Sequence, residues 1–156
     1  MNTYIGRIAK ALAYVFLVAS FGCSTFRVVN PKPSDPVAEV NGWGRDPSDH
    51  IFVILTFSKP VDQSTVISGR TIYLETDLDN HAGGNLLWTT SKTLKFTTTK
   101  KLAELLSPHP DSVFKLKLIG NDGGNGVIKD KRGRTLDGDY DGKSGGDYTM
   151  VFTLIG

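Results

Sequence analysis

From about residue 37 onward the chain is a series of short apolar runs separated by polar turns. Ile51-Phe52-Val53-Ile54-Leu55-Thr56-Phe57 is continuous, β-branched and aromatic, which predicts a central strand covered on both faces. Pro60 ends it, because proline cannot donate to a ladder. Thr71-Ile72-Tyr73-Leu74-Glu75 alternates, with Ile72 and Leu74 on one face. Residues 86–90 and 93–97 predict a hairpin turning at Ser91-Lys92. Val113 to Leu118 alternates cleanly, placing Phe114, Leu116 and Leu118 inward and two lysines outward. Tyr148 to Leu154 alternates as well. The one helical patch is 101–106. Strands this short and this evenly spaced predict an all-β antiparallel sandwich of about seven strands.

The first 36 residues follow other rules. No acidic residue precedes Asp35, and Arg7 and Lys10 come before the apolar run 11–21. A basic start, a short apolar stretch and small residues are the parts of a secretory signal. The run is too short for a comfortable membrane span, which needs about 20 residues. The alternative is a buried N-terminal helix, for which the strand-rich remainder offers no receiving surface. Cys23 is the sole cysteine and follows Gly22. It excludes an intrachain disulfide, and a cysteine-based zinc site with it. The segment from Leu17 to Cys23 resembles the lipobox of bacterial lipoproteins, with small Gly22 before the cysteine. Ser20 and Phe21 depart from the usual pattern. The resemblance implies a signal peptide over 1–22, lipid on Cys23, and export to the cell envelope. Ser24 then implies the outer membrane, if the cell has two membranes. Residues 23–36, with Pro31, Pro33 and Pro36, read as a tether; the alternative is that part of it forms a first edge strand.

Within 37–156, residues 54–66, Ile-Leu-Thr-Phe-Ser-Lys-Pro-Val-Asp-Gln-Ser-Thr-Val, resemble the signature of the bacterial SbsA-type Ig-like domain. Thr71 to Leu74, Leu94 to Thr97, Lys101 to Ala103, Phe114 to Leu116 and Val127 to Gly133 follow in that family's order. Arg134 stands where the family has Asn. The resemblance implies an Ig-like sandwich over 37–156. On physical grounds the signature is structural. Pro60 stops a strand, Asp62 starts an Asx-turn into Ser64-Thr65, and Val61 and Val66 face the core.

Composition and charge narrow the function. The formal net charge is +2, from 18 Lys+Arg against 16 Asp+Glu. Arg7 and Lys10 are the excess, so a chain cut before Cys23 holds 18 − 2 = 16 basic and 16 acidic residues. A neutral domain argues against a nucleic-acid partner. His50, His81 and His109 fall in expected loops with no ligand spacing, and no nucleophile elbow occurs. The chain is therefore read as non-catalytic.

The segment Gly120–Asp147 is about 28 residues long, far beyond a hairpin loop. Asp137, Asp139, Asp141 and Gly142 match the opening of a calcium loop. Alternation lets three carboxylates converge, and glycine permits a sharp turn at the sixth position. The twelfth position, where an EF-hand has Glu, is Tyr148. Asp147 is the candidate substitute, and the Lys143 carbonyl a further donor. The alternative is a solvated turn. Asp77, Asp79 and Asn80 read as a second, solvated acidic turn. Trp43, between Gly42 and Gly44, is a candidate exposed aromatic for stacking on a sugar; Trp88, beside Leu86 and Leu87, reads as core.

The leading expectation is a non-catalytic envelope lipoprotein acting in surface architecture, adhesion or protein contact. Its partners would be the membrane, through the lipid, and a protein or glycan. No cofactor is required, and calcium is the candidate ion. The second is a calcium-dependent, carbohydrate-binding module using the Asp137–Asp141 loop and an exposed Trp43. A glycoside-acting enzyme using the same carboxylates is the remote third.

Overall fold

The computed structural model describes residues 25–29, 42–107 and 113–153. The signal segment 1–22, Cys23, most of the tether and His109 lie outside the described residues. Eight strands are formed among those described: β1 Val28–Val29, β2 Trp43–Arg45, β3 His50–Phe57, β4 Ile72–Glu75, β5 Gly84–Trp88, β6 Thr93–Lys101, β7 Phe114–Leu118 and β8 Tyr148–Phe152. They make two antiparallel sheets, an all-β sandwich. One sheet runs β1-β3-β6-β5, with β2 also on β3; the other runs β4-β7-β8. A single helical turn, α1 Leu102–Leu105, follows β6.

The alternating strands face each other as their patterns require. Ile51, Val53, Leu55 and Phe57 of β3 share a core with Leu94 and Phe96 of β6. Ile72, Leu74, Phe114, Leu116, Leu118 and Phe152 supply the opposite side. β3 is flanked on both edges, by β6 on one and by the pair β1 and β2 on the other. Its outward Phe52 is also buried, and the Lys95 ammonium lies 4.9 Å from that ring's centroid. Glu75 and Lys115 stand opposite each other on β4 and β7 and form a 3.0 Å ion pair.

The hairpin forms as expected, with Trp88 opposite Leu94. Its turn closes through Thr90, whose Oγ1 accepts the Lys92 and Thr93 amides. Asp62 caps a short 3-10 helix, Gln63–Thr65, by accepting the Ser64 amide and hydroxyl. Val61 and Val66 are buried. Asp62, Val61 and Val66 thus do the structural work expected of them.

Two expectations are corrected. The domain does not begin at residue 37. Residues 25–29, assigned to the tether, run along β3, with Val28 opposite Phe57 and Val29 opposite Thr56. Phe26 and Val28 are 1% exposed, and the Phe26 ring stacks on Phe57 at 5.5 Å. The physical reason is local alternation: Phe26 and Val28 point one way, and Arg27 and Val29 the other. His50 also differs, being the first residue of β3 rather than a loop residue.

The long segment 120–147 is anchored at two points. Ile128 and Leu136 are fully buried, and short bridges join Lys129 to Thr135 and Val61 to Asp130. Asp130 closes the turn between them. Its Oδ1 accepts the Arg132 and Arg134 amides, and its Oδ2 pairs with the Arg134 guanidinium.

Candidate metal centre

Leu136, held in the core, delivers the next residue to an unusual place. Asp137 is 1% exposed, and among the described residues neither carboxylate oxygen has a hydrogen-bond partner. Its backbone is well used: the amide donates to the Phe26 carbonyl at 2.7 Å. Asp139 and Asp141 are exposed and turn back toward it. One oxygen from each of the three lies within 4.8 Å of the others. Oxygens bound to one calcium at 2.3–2.6 Å stand no more than roughly 5 Å apart, so the spacing suits a shared ion.

The backbone between them is built for this convergence. Tyr140 has φ +63 and Gly142 has φ +86, so the chain reverses at the fourth and sixth positions. Left-handed backbone suits Gly142 and costs a side-chain-bearing residue of order 1–2 kcal/mol. The Lys143 amide donates to Asp141 Oδ1 at 2.8 Å. Gly138 donates to the Gly145 and Gly146 carbonyls, which folds the loop onto β8. Gly146, φ +79, lies so close to Asp139 that a Cβ there would be 2.4 Å from the Asp139 Cγ.

Tyr140 carries the loop to the start of the domain. Its hydroxyl donates to the Val28 carbonyl at 2.6 Å, and the Arg27 guanidinium carbon lies 5.8 Å from its ring centroid. Burial raises the Tyr140 pKa; the Asp137 charge adds to the rise and Arg27 opposes it. Tyr148, packed 6.1 Å from Tyr140, is also raised, by burial first and then by Tyr140.

Asp147 is a further correction. It is not brought into the cluster. Its Oδ1 accepts the Gly120 and Asn121 amides, both at 2.9 Å, and so ties the two ends of the long segment together. The other expected acidic turn is an ion-pair site: Asp79 bonds Lys100 at 2.7 Å. That bond, with the His81 amide, holds the Asp79 carboxyl below the usual range.

Trp43 is half-buried rather than freely exposed, its ring tilted against Phe152 at 5.7 Å. Its outer side, with Gly138, Tyr140, Tyr148, Met150 and Val151, lines a groove of about 440 Å³. The structure therefore brings Trp43 beside the aspartate loop, 94 positions further along the chain (137 − 43). Trp88 packs against the core beside Phe57. His81 packs on Tyr73 and His50 lies near Asp46; neither joins the cluster. No helix among the described residues is long and apolar enough to cross a membrane.

No family model and no curated protein matches this chain.

No local pattern in the chain signals the burial of Asp137 or the reach of Tyr140 to Val28. Phe26 and Val28 did carry one, the alternation of an edge strand.

Proposed function

We propose that this chain is a non-catalytic module of the SbsA-type Ig-like class, exported and lipid-anchored to the cell envelope through Cys23, which binds calcium at Asp137, Asp139 and Asp141. The observation that carries the cation reading is the Asp137 carboxylate, buried with both oxygens unpartnered among the described residues and flanked by two further carboxylates. A buried carboxylate without partners costs several kcal/mol, and neighbouring like charges add to it. A divalent cation offsets both costs at once. Oxygen-only donors select a hard ion, and calcium's flexible sphere of six to eight oxygens tolerates three carboxylates completed by a carbonyl and water. Export and anchoring are supported by the pattern of residues 1–23.

Calcium titration followed by thermal melting tests the site. An ion that binds only the folded state stabilises it by about 2.7 kcal/mol at a hundredfold excess over its dissociation constant. The melting temperature should therefore rise with calcium in the wild type and stay flat in Asp137→Asn. An equal rise in the variant removes the assignment.

The groove supports a second, compatible reading, calcium-dependent carbohydrate binding. Trp43 and Tyr140 offer ring faces next to the carboxylates, and rings stack on the apolar faces of sugars. A glycan array probed in calcium should show binding that Trp43→Ala loses. Binding retained in the variant rejects the groove as the sugar site.

A further inference from the structure

The aspartate loop and the first strand are held together, and that contact gives the cation site a role beyond stability. Strand β1 has a two-residue ladder to β3, with Ser58 supporting it through the Arg27 amide and carbonyl. On its other side the loop grips it: Asp137 N–H to the Phe26 carbonyl, Tyr140 O–H to the Val28 carbonyl, and the Arg27 guanidinium against the Tyr140 ring. The two gripping residues are the first and fourth of the loop, within the span of the three carboxylates.

We propose that a cation at Asp137, Asp139 and Asp141 locks residues 25–29 into the sandwich, so that occupancy sets how much free chain separates the domain from Cys23. The inference rests on the cation reading given above. Without the ion, the loop must hold three carboxylates together and keep Tyr140 at φ +63. Both conditions are unfavourable, and both relax if the loop moves outward. Moving outward withdraws the Asp137 amide and the Tyr140 hydroxyl from β1. The strand is then left with its short ladder and the burial of Phe26 and Val28. Local opening of a terminal strand is governed by contacts of this kind.

The consequence lies in reach. With β1 docked, Ser24 alone separates Cys23 from the described strand segment at Thr25. With β1 released, the next strand among the described residues begins at Trp43, and a chain as long as 24–42 spans at most roughly 60 Å, at about 3.3 Å per residue. A calcium-rich exterior would hold the domain close to its anchor, and calcium depletion would raise the fraction of molecules in which β1 opens and the domain reaches out.

Amide hydrogen exchange on the full chain in detergent, with calcium and with chelator, tests this, with calorimetry reporting calcium binding on the same samples. Removing calcium should speed exchange of residues 25–29 about tenfold or more, since two hydrogen bonds at a typical net value near 1 kcal/mol each are withdrawn. The paired amides of β3 and β6 should stay protected. Tyr140→Phe should still bind calcium but lose most of the calcium-dependent protection of 25–29. Calcium binding with unchanged exchange at 25–29, or full protection in Tyr140→Phe, overturns the lock while leaving the cation site standing. Absence of calcium binding to the wild type overturns the site itself, and the lock with it.

Discussion

At Asp139 the carboxylate lies where a Cβ on Gly146 would sit, 2.4 Å from its Cγ. Only glycine leaves that space, and at φ +79 only glycine adopts the backbone without strain. The three aspartates therefore depend on a residue seven positions beyond Asp139. Asp130 shows a carboxylate satisfied by the opposite means. Burial alone would raise its pKa, but the Arg134 amide and guanidinium and the Arg132 amide outweigh that and hold it below the usual range. A depressed folded pKa contributes stability that is present above the unfolded value, near pH 4, and lost as pH falls through the folded value. Asp130→Asn should cost about 2 kcal/mol at pH 7, through the lost charge-assisted bonds to Arg134. Chemical denaturation from pH 7 to pH 2 should show wild type and variant converging below pH 4. A constant difference across that range would reject this account.

At the scale of elements, β1 and the 120–147 segment matter most. Strand β1 shares one edge of β3 with β2, pairing its end while β2 pairs its beginning. The sheet edge is thus covered by two short strands separated in sequence. Phe26 and Val28 are as deeply buried as the residues of β3. Burying each side chain contributes about 1.5–3 kcal/mol, so a chain starting at residue 37 should lose roughly 3–6 kcal/mol relative to one starting at residue 25. Phe26→Ala alone should cost about 3–5 kcal/mol. Urea denaturation of the three chains decides it; equal midpoints would return residues 25–29 to the tether. The hairpin and the alternating strands were legible because their pattern is local, each side chain's face following from its parity. The edge strand was less legible because two ladder pairs leave a very short pattern, followed at once by Asn30 and Pro31.

For the molecule as a whole, the sandwich places its first strand five positions after Cys23 (28 − 23). Lipid on Cys23 would seat the domain against the envelope surface rather than on a long stalk. Mass spectrometry of the native N-terminus should find Cys23 as the first residue, carrying acyl chains. An unmodified start at any other position removes the anchor.

Strand faces, turn residues, the charge asymmetry of the first 36 residues and the spacing of Asp137, Asp139 and Asp141 were all written in the linear order of side chains. Periodicity, proline stops and Asx-turns act over a few residues, so neighbours in the chain suffice to read them. Packing decided the rest. It placed Phe26 in the core and turned Asp147 toward Gly120. It buried the Asp137 carboxylate without hydrogen-bond partners among the described residues while leaving Asp139 and Asp141 outside, and it set Trp43 beside Tyr140. These outcomes depend on which surfaces meet when the two sheets close. Burial and desolvation are properties of that meeting, and residues with the same local pattern can fall on either side of it.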